Sequence, residues 1–255
     1  MLCQVVVAER ESLFVRVAQA FVQALQQTLA ERERAMVALS GGQTPQPLYR
    51  LLAGEAYRHA LDWQRVCFFW TDERYVPPTD LMSNFRMVYE LWLRDWGLPP
   101  RCLHPMPTHL ATPEEAARRY EAHLRQLFGE RTRFPQFDLI LLGMGEDGHT
   151  ASLFAGDSAL KERMRWVVPA QAPAPPHQRL TLTLPVLNAA RRVWVLVTGE
   201  SKREALRRVF QPSRTESSLP IARVKPRRGE LIWWVEESLR DAVPSRYLSV
   251  AETGS

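Results

Sequence analysis

The sequence predicts an α/β protein with a mainly parallel sheet covered by helices on both faces. Three observations carry this. Short, largely apolar runs recur at Val37-Ala-Leu39, Val66-Cys-Phe-Phe-Trp70, Phe137-Asp-Leu-Ile-Leu-Leu142, Arg192-Val-Trp-Val-Leu-Val-Thr198 and Leu231-Ile-Trp-Trp-Val235. Strands buried on both faces have this character, whereas half-solvated strands alternate. Helix-period segments lie between the runs, the order of repeated βαβ units. Finally, 255 residues with 45% hydrophobic content are enough for one large domain, expected over residues 1–243.

The elements follow in order. The N-terminal Met-Leu-Cys-Gln-Val-Val-Val is a short first strand. Leu13, Val17, Phe21, Leu25 and Leu29 repeat every four residues and make one side of a helix over 11–30 apolar. After the strand at 37–39 comes the turn Ser40-Gly-Gly-Gln-Thr-Pro45, then a helix from Pro47. The strand at 66–70 ends at Thr71-Asp-Glu-Arg74. Ser83-Asn84 caps a helix bearing Val88, Leu91 and Trp92. Thr112-Pro-Glu-Glu115 is a helix start with a capping threonine, proline in the first turn and a capping-box glutamate. That helix runs to about Phe128 and stops at Gly129. The strand at 137–142 leads into a glycine-rich loop, and the strand at 192–198 into a helix over 201–210. The strand at 231–235 is followed by a short helix with an acidic head. Pro173 to Pro176 form a stiff connector, and 244–255 are expected to be a frayed tail.

Composition narrows the function classes. No apolar run reaches the length of a membrane span, and the N-terminus lacks the pattern of a signal peptide. Cys3, Cys67 and Cys102 are too scattered for a zinc knuckle or a disulfide framework. The simplest setting is therefore a reducing cytoplasm, for a monomer or weak homo-oligomer with no membrane partner. The net charge of +5 attracts anions, but basic residues are interspersed with acids, as in Glu31-Arg-Glu-Arg34. No nucleic-acid motif is present, and nucleic acid is not an expected partner.

Open parallel sheets bind ligands beyond the carboxyl ends of their strands, and the polar clusters fall there. In Ser40-Gly-Gly-Gln-Thr-Pro45, two glycines let backbone N–H groups approach an anion, while Ser40 and Thr44 add hydroxyls. The Gly-Lys-Ser/Thr of a Walker loop is missing. Gly143-Met-Gly-Glu-Asp-Gly148 fits the dinucleotide spacing, but Glu146 and Asp147 would oppose a pyrophosphate. The loop is instead expected to bring backbone, including Gly145, near a substrate carbonyl and to aim His149. A neutral imidazole can act as a base near neutral pH, and Asp147 can orient it. Asp72-Glu73-Arg74 offers a guanidinium steadied by carboxylates. Ser152 lacks a nucleophile-elbow context. Taken alone, Arg179 and Lys202 fit a structural role as well as a binding one.

The same segments resemble the 6-phosphogluconolactonases. The resemblance rests on Ser40-Gly-Gly-Gln-Thr-Pro, Thr71-Asp-Glu-Arg-Tyr-Val-Pro with Ser83-Asn84, Gly143-Met-Gly-Glu-Asp-Gly-His-Thr-Ala-Ser-Leu-Phe154, and Arg179-Leu-Thr-Leu-Thr-Leu-Pro-Val-Leu-Asn188, in that order. It spans roughly residues 8 to 240. It implies a Rossmann-like domain shared with glucosamine-6-phosphate deaminases. It also implies hydrolysis of 6-phospho-D-glucono-1,5-lactone to 6-phosphogluconate in the oxidative pentose phosphate pathway, with no cofactor and no metal. By motif position, Ser40, Gly41, Gly42, Thr44, Arg179 and Lys202 would hold the phosphate. His149 would be the base, with Asp147 beside it and Arg74 near the reacting end; Asp72, Asn84 and Gly145 would complete the substrate site. Glycine-loop N–H groups or Arg74 would hold the oxyanion, some distance from the phosphate.

Two departures stand out. Ala155 replaces a proline usual after Ser-Leu-Phe, which is expected to loosen that loop. Glu236 stands where an aspartate is usual, with only local geometry affected. The competing readings are an amino-sugar-phosphate deaminase or isomerase and a non-catalytic sugar-phosphate-binding protein. The deaminases usually carry Asp-Glu-Tyr and Asp-Gly-His-Ile-Ala-Phe-Asn, so Arg74 and Thr150 to Phe154 favour the lactonase. A pure binder has no need of His149.

Overall fold

A computed structural model describes residues 2–211 and 219–248. The chain runs β1 (Leu2–Ala8), α1 (Arg10–Glu31), β2 (Ala35–Leu39), α2 (Gln46–Leu52), α3 (Glu55–Arg58), β3 (Val66–Trp70), β4 (Asp72–Arg74), α4 (Asn84–Val88) and β5 (Leu103–His104). It continues through α5 (Pro113–Phe128), β6 (Leu139–Gly143), β7 (Val167–Gln171), β8 (Gln178–Leu182), α6 (Leu184–Leu187), β9 (Arg192–Val197), α7 (Arg203–Phe210) and β10 (Glu230–Glu236).

Seven strands form a parallel sheet in the order β1-β10-β9-β6-β2-β3-β5. This is the predicted α/β architecture. Its strands are continuously apolar because both faces are covered. Leu139 and Leu141 of β6 pack into the α1 side with Phe14, Val17, Phe21 and Leu25. Ile140 and Leu142 pack into the α5 side with Ala116, Tyr120 and Leu124. Each large apolar side chain so removed from water contributes roughly 1.5–3 kcal/mol.

The helix signals act as their chemistry requires. Ser83 Oγ accepts from the Arg86 N–H at 3.1 Å, and Thr112 Oγ1 from the Glu115 N–H at 3.2 Å. Gly129 ends α5 at φ 101°, where a side chain would be strained. After α4 the chain continues through a π-turn at Tyr89–Leu93, which buries Trp92 against Tyr49, Trp63 and Phe68. The acidic-headed segment after β10 is a 3-10 helix, Glu237–Ala242.

A second, antiparallel sheet, β4-β8-β7, adds to the predicted one. Its strands are short, and β4 follows β3 after one residue, so no apolar run announced it. The Pro173–Pro176 connector joins β7 to β8. Residues 244–248, expected to open a frayed tail, carry a 3-10 turn at Ser245–Tyr247, and Leu248 bridges to Val5. The remainder of that expected tail, 249–255, lies outside the described residues. No described helix is long and apolar enough to cross a membrane.

One polar pair sits within the α5-side core. His104 of β5 stacks on Phe69, and its Nδ1 lies 2.9 Å from His123 Nε2. Burial, and then the neighbouring His123, pull the His104 imidazole down to about 4. In the unfolded chain this ring takes its proton near the ordinary value of ~6.5. Between those values the unfolded state binds more protons, so stability falls as pH drops from 6.5 towards 4. Urea denaturation at pH 7 and pH 5 should show a loss of about 2 kcal/mol from this group. His104→Gln should show a clearly smaller loss; an equal loss would assign the acid sensitivity elsewhere.

Candidate active site

The carboxyl ends of β9, β6, β2 and β3 lie side by side, and the polar segments that follow them meet in one cleft of about 820 Å³. Ser40, Gly41, Gly42, Thr44, Asp72, Arg74, Asn84, Gly145, Asp147, His149, Arg179 and Lys202, the site residues expected from sequence, all line it. The parallel sheet accomplishes this: segments as distant as 40 and 202 must emerge on the same edge.

After β6, the loop closes on itself. The Gly145 N–H donates to His149 O at 2.8 Å and the Gly148 N–H to Gly145 O at 3.0 Å. These two amides are therefore committed within the loop. The loop instead shapes His149. Asp147 Oδ1 lies 2.6 Å from His149 Nδ1 and also accepts the His149 backbone N–H at 3.1 Å. The bond from His149 holds the Asp147 carboxyl down at about 2, so it is ionised at neutral pH. An ionised acceptor assigns the proton to Nδ1 and leaves Nε2 as the basic nitrogen. The ring packs on Phe154 at 4.6 Å. Gly145 makes room for it, since a Cβ there would lie 2.1 Å from His149 Nδ1.

The segment beyond His149 is anchored rather than loose. Ser152 Oγ donates to Asp72 Oδ2 at 2.7 Å, and its N–H to Thr181 Oγ1 at 3.2 Å. Ser152 is thus engaged in a buried bond, and Asp72 is oriented from both sides, since Thr71 Oγ1 reaches its Oδ1 at 3.1 Å. Ala155 is exposed just past these anchors.

After β2, the Ser40 carbonyl accepts from the Tyr49 hydroxyl at 2.7 Å. Among the described residues, no acceptor engages the N–H groups of Gly41 or Gly42, and buried Ser40 Oγ has no partner. Ser40, Gly41 and Gly42 all line the cleft. Gly41 also admits the Asn84 carboxamide, which would sit 1.8 Å from a Cβ. Asn84 Nδ2 donates to Asp72 O at 3.0 Å.

Glu73, buried at 2% exposure, holds this wall together. Its carboxylate accepts from Ser83 Oγ and from the N–H groups of Asn84, Phe85 and Arg74, at 2.7–3.0 Å. Burial nevertheless pushes its carboxyl up from the usual range. The sequence placed Glu73 in a charged cluster but did not reveal this role; the capping serine ten residues on was its only signal.

Arg74 and Arg179 sit opposite each other across β4 and β8. Burial, and then the charge of Arg74, pull the Arg179 guanidinium down from its ordinary value. The two cations therefore stand on one wall of the cleft. Arg74 Nη1 donates to Met82 O at 2.7 Å, and buried Arg179 Nε has no partner. Lys202 enters beyond β9, 3.7 Å from Glu146. Its turn is held by Glu236, whose Oε2 accepts the Gly199 N–H at 2.8 Å. Glu236 thus anchors a cleft segment, more than its place after the last strand suggested. Arg10, 3.9 Å from Glu236, is a lining cation the sequence did not single out; as one arginine in the first helical turn it carried no motif.

Comparisons with known proteins place the chain in a family. The family model described as glucosamine-6-phosphate isomerases/6-phosphogluconolactonase matches residues 8–233. The chain belongs to this family. Among its members, a 6-phosphogluconolactonase of Synechocystis sp. is 45% identical over 210 residues, covering 82% of this chain and 85% of the relative. One of Nostoc sp. is 37% identical over 246 residues, covering 96% and 98%. The solved 6-phosphogluconolactonase of Thermotoga maritima superposes with a TM-score of 0.78 at 30% identity, covering 91% and 99% of the two chains. A monomeric glucosamine-6-phosphate deaminase, 22% identical with a TM-score of 0.76, shares the fold.

Gly145→Ala tests the shaping of His149. Displacing the ring by an ångström or more should lower turnover about 10²-fold, with the thermal midpoint within a few degrees of wild type. Unchanged turnover would separate the imidazole position from catalysis.

Proposed function

We propose that this protein hydrolyses 6-phospho-D-glucono-1,5-lactone to 6-phospho-D-gluconate, in the pentose phosphate pathway, with His149 as general base. The observation that carries the mechanism is the Asp147–His149 pair, 2.6 Å apart, in the same cleft as the uncommitted Gly41 and Gly42 amides and the Arg74–Arg179 wall.

The phosphate binds the Gly41 and Gly42 N–H groups, Ser40 and Thr44, with Arg179 and Lys202 balancing its charge. Lys202 exchanges part of its interaction with Glu146 for the phosphate. This grip orients the lactone ring and turns the attack into an effectively intramolecular event.

A water molecule then attacks C1. His149 Nε2 takes its proton, and Asp147 stabilises the imidazolium through Nδ1–H. The carbonyl oxygen becomes an oxyanion. With Gly145 and Gly148 amides engaged, Arg74 is the donor that meets it. When the carbonyl re-forms, the bond from C1 to the ring oxygen breaks. The imidazolium returns its proton to that oxygen, leaving a hydroxyl and a carboxylic acid that ionises. Ser152 takes no covalent part, because its hydroxyl is bonded to Asp72.

His149→Ala should lower kcat by at least ~10² above the spontaneous background while the variant still binds 6-phosphogluconate. Turnover near wild type would sink the assignment. Arg179→Ala and Lys202→Ala should mainly raise KM, as expected where ground and transition states are held alike. An unchanged KM in both would remove these residues from phosphate binding.

A further inference from the structure

The large sheet has a second polar cavity at its other end. Where β6, β9 and β10 begin, an opening of about 600 Å³ lies against the last turn of α1. The catalytic chemistry sits at the opposite ends of these strands and uses nothing here.

The cavity is built around Asp138, 2% exposed. Asp138 Oδ2 accepts the Met36 N–H at 2.9 Å and its own N–H donates to Met36 O, tying β6 to β2. Its other oxygen faces Arg191 Nε at 3.3 Å and Arg32 Nε at 3.7 Å. One buried carboxylate oxygen thus lies within ion-pair distance of two guanidinium groups, without a hydrogen bond to either. Among the described residues, no acceptor takes an Nη group of either arginine, and both side chains are about 40% exposed, at 39% and 42%.

Two more cations join them. Arg192 is steadied by neutral partners, Thr28 Oγ1 at 3.3 Å and Gln27 Oε1 at 3.2 Å, so its charge is not cancelled there. Arg228 is exposed on the neighbouring segment. Gly229 lets that segment lie close, since a Cβ on it would sit 2.4 Å from Ala190 O and 2.7 Å from Arg191 O. Two glutamates also line the opening, Glu31 and Glu230. Four arginines therefore face three carboxylates, one of which lies behind the guanidinium groups.

We propose that this cavity is a second anion site, for a compact phosphate or diphosphate group. Arg191 and Arg32 turn Nε towards Asp138, which leaves their Nη groups for a ligand, and the guanidinium fork matches the oxyanions of phosphorus. The charge order from the core outward is then carboxylate, arginines, anion. Among the described residues no aromatic or aliphatic side chain lines the opening, so they offer a nucleobase no stacking surface and the phosphate group itself is what is recognised.

The test is a titration of inorganic pyrophosphate into the full chain, followed by backbone amide shifts. Saturable shifts are expected at Arg191, Arg192 and Gly229, with a dissociation constant separate from any at Gly41 and Gly42. Arg192→Gln and Arg228→Gln should each weaken binding at the rear amides at least about tenfold and leave kcat and KM for the lactone unchanged. Arg228→Gln leaves the charges around Asp138 in place; Arg192→Gln removes one of them and two bonds to α1, so its thermal midpoint is measured beside the titration and should stay within a few degrees of wild type. Shifts confined to the cleft, or rear-site affinity unaltered in both variants, would overturn the proposal.

Discussion

The hydrogen bond between Asp147 and His149 is the interaction on which the site depends. A histidine at a strand end is ordinary until something fixes its tautomer and direction. Here the ionised carboxylate two residues earlier accepts the hydrogen bond from Nδ1–H, and Gly145 leaves the space the ring occupies. The two constraints are local, yet they hold only because the rest of the cleft restrains the segment after His149. Ser152, through Asp72 and Thr181, ties that segment to β4 and β8.

Carboxylates recur as organisers of cationic or polar neighbours. Glu73 gathers the N-terminus of α4, Glu236 holds the Gly199 turn that carries Lys202, and Asp138 sits at ion-pair distance from two arginines at the far rim. Burying such groups costs several kcal/mol each unless their lone pairs are satisfied. Glu73 is satisfied by four donors, which is why a charged group can sit beneath an active site as scaffolding. The charges of Asp72 and Glu73 act on Arg179 against that of Arg74, which offsets part of the repulsion between the two facing arginines.

The sheet and the cleft have a common origin. Continuously apolar strands require helices on both faces, and helices on both faces require every crossover to return to the same end of the sheet. The loops at the carboxyl end thus converge, while those at the amino end are free to diverge. That the amino end here also gathers four arginines is a property of this chain's own residues, and the fold does not demand it.

Much of this was legible in the sequence because it depends on local rules. Apolar runs announced the five long central strands, capping residues announced α4 and α5, and Ser40-Gly-Gly and Gly143 to His149 announced the polar loops, since glycine and proline act on neighbouring backbone. What tertiary structure alone decided is contact between distant segments. Arg74 faces Arg179 only through the register of β4 and β8, Ser152 reaches Asp72 eighty residues back, and Glu236 and Arg10 acquire their places from residues far along the chain. Sequence spacing measures distance along a chain, whereas charge, burial and hydrogen bonding act through space, and only the packed sheet relates the two.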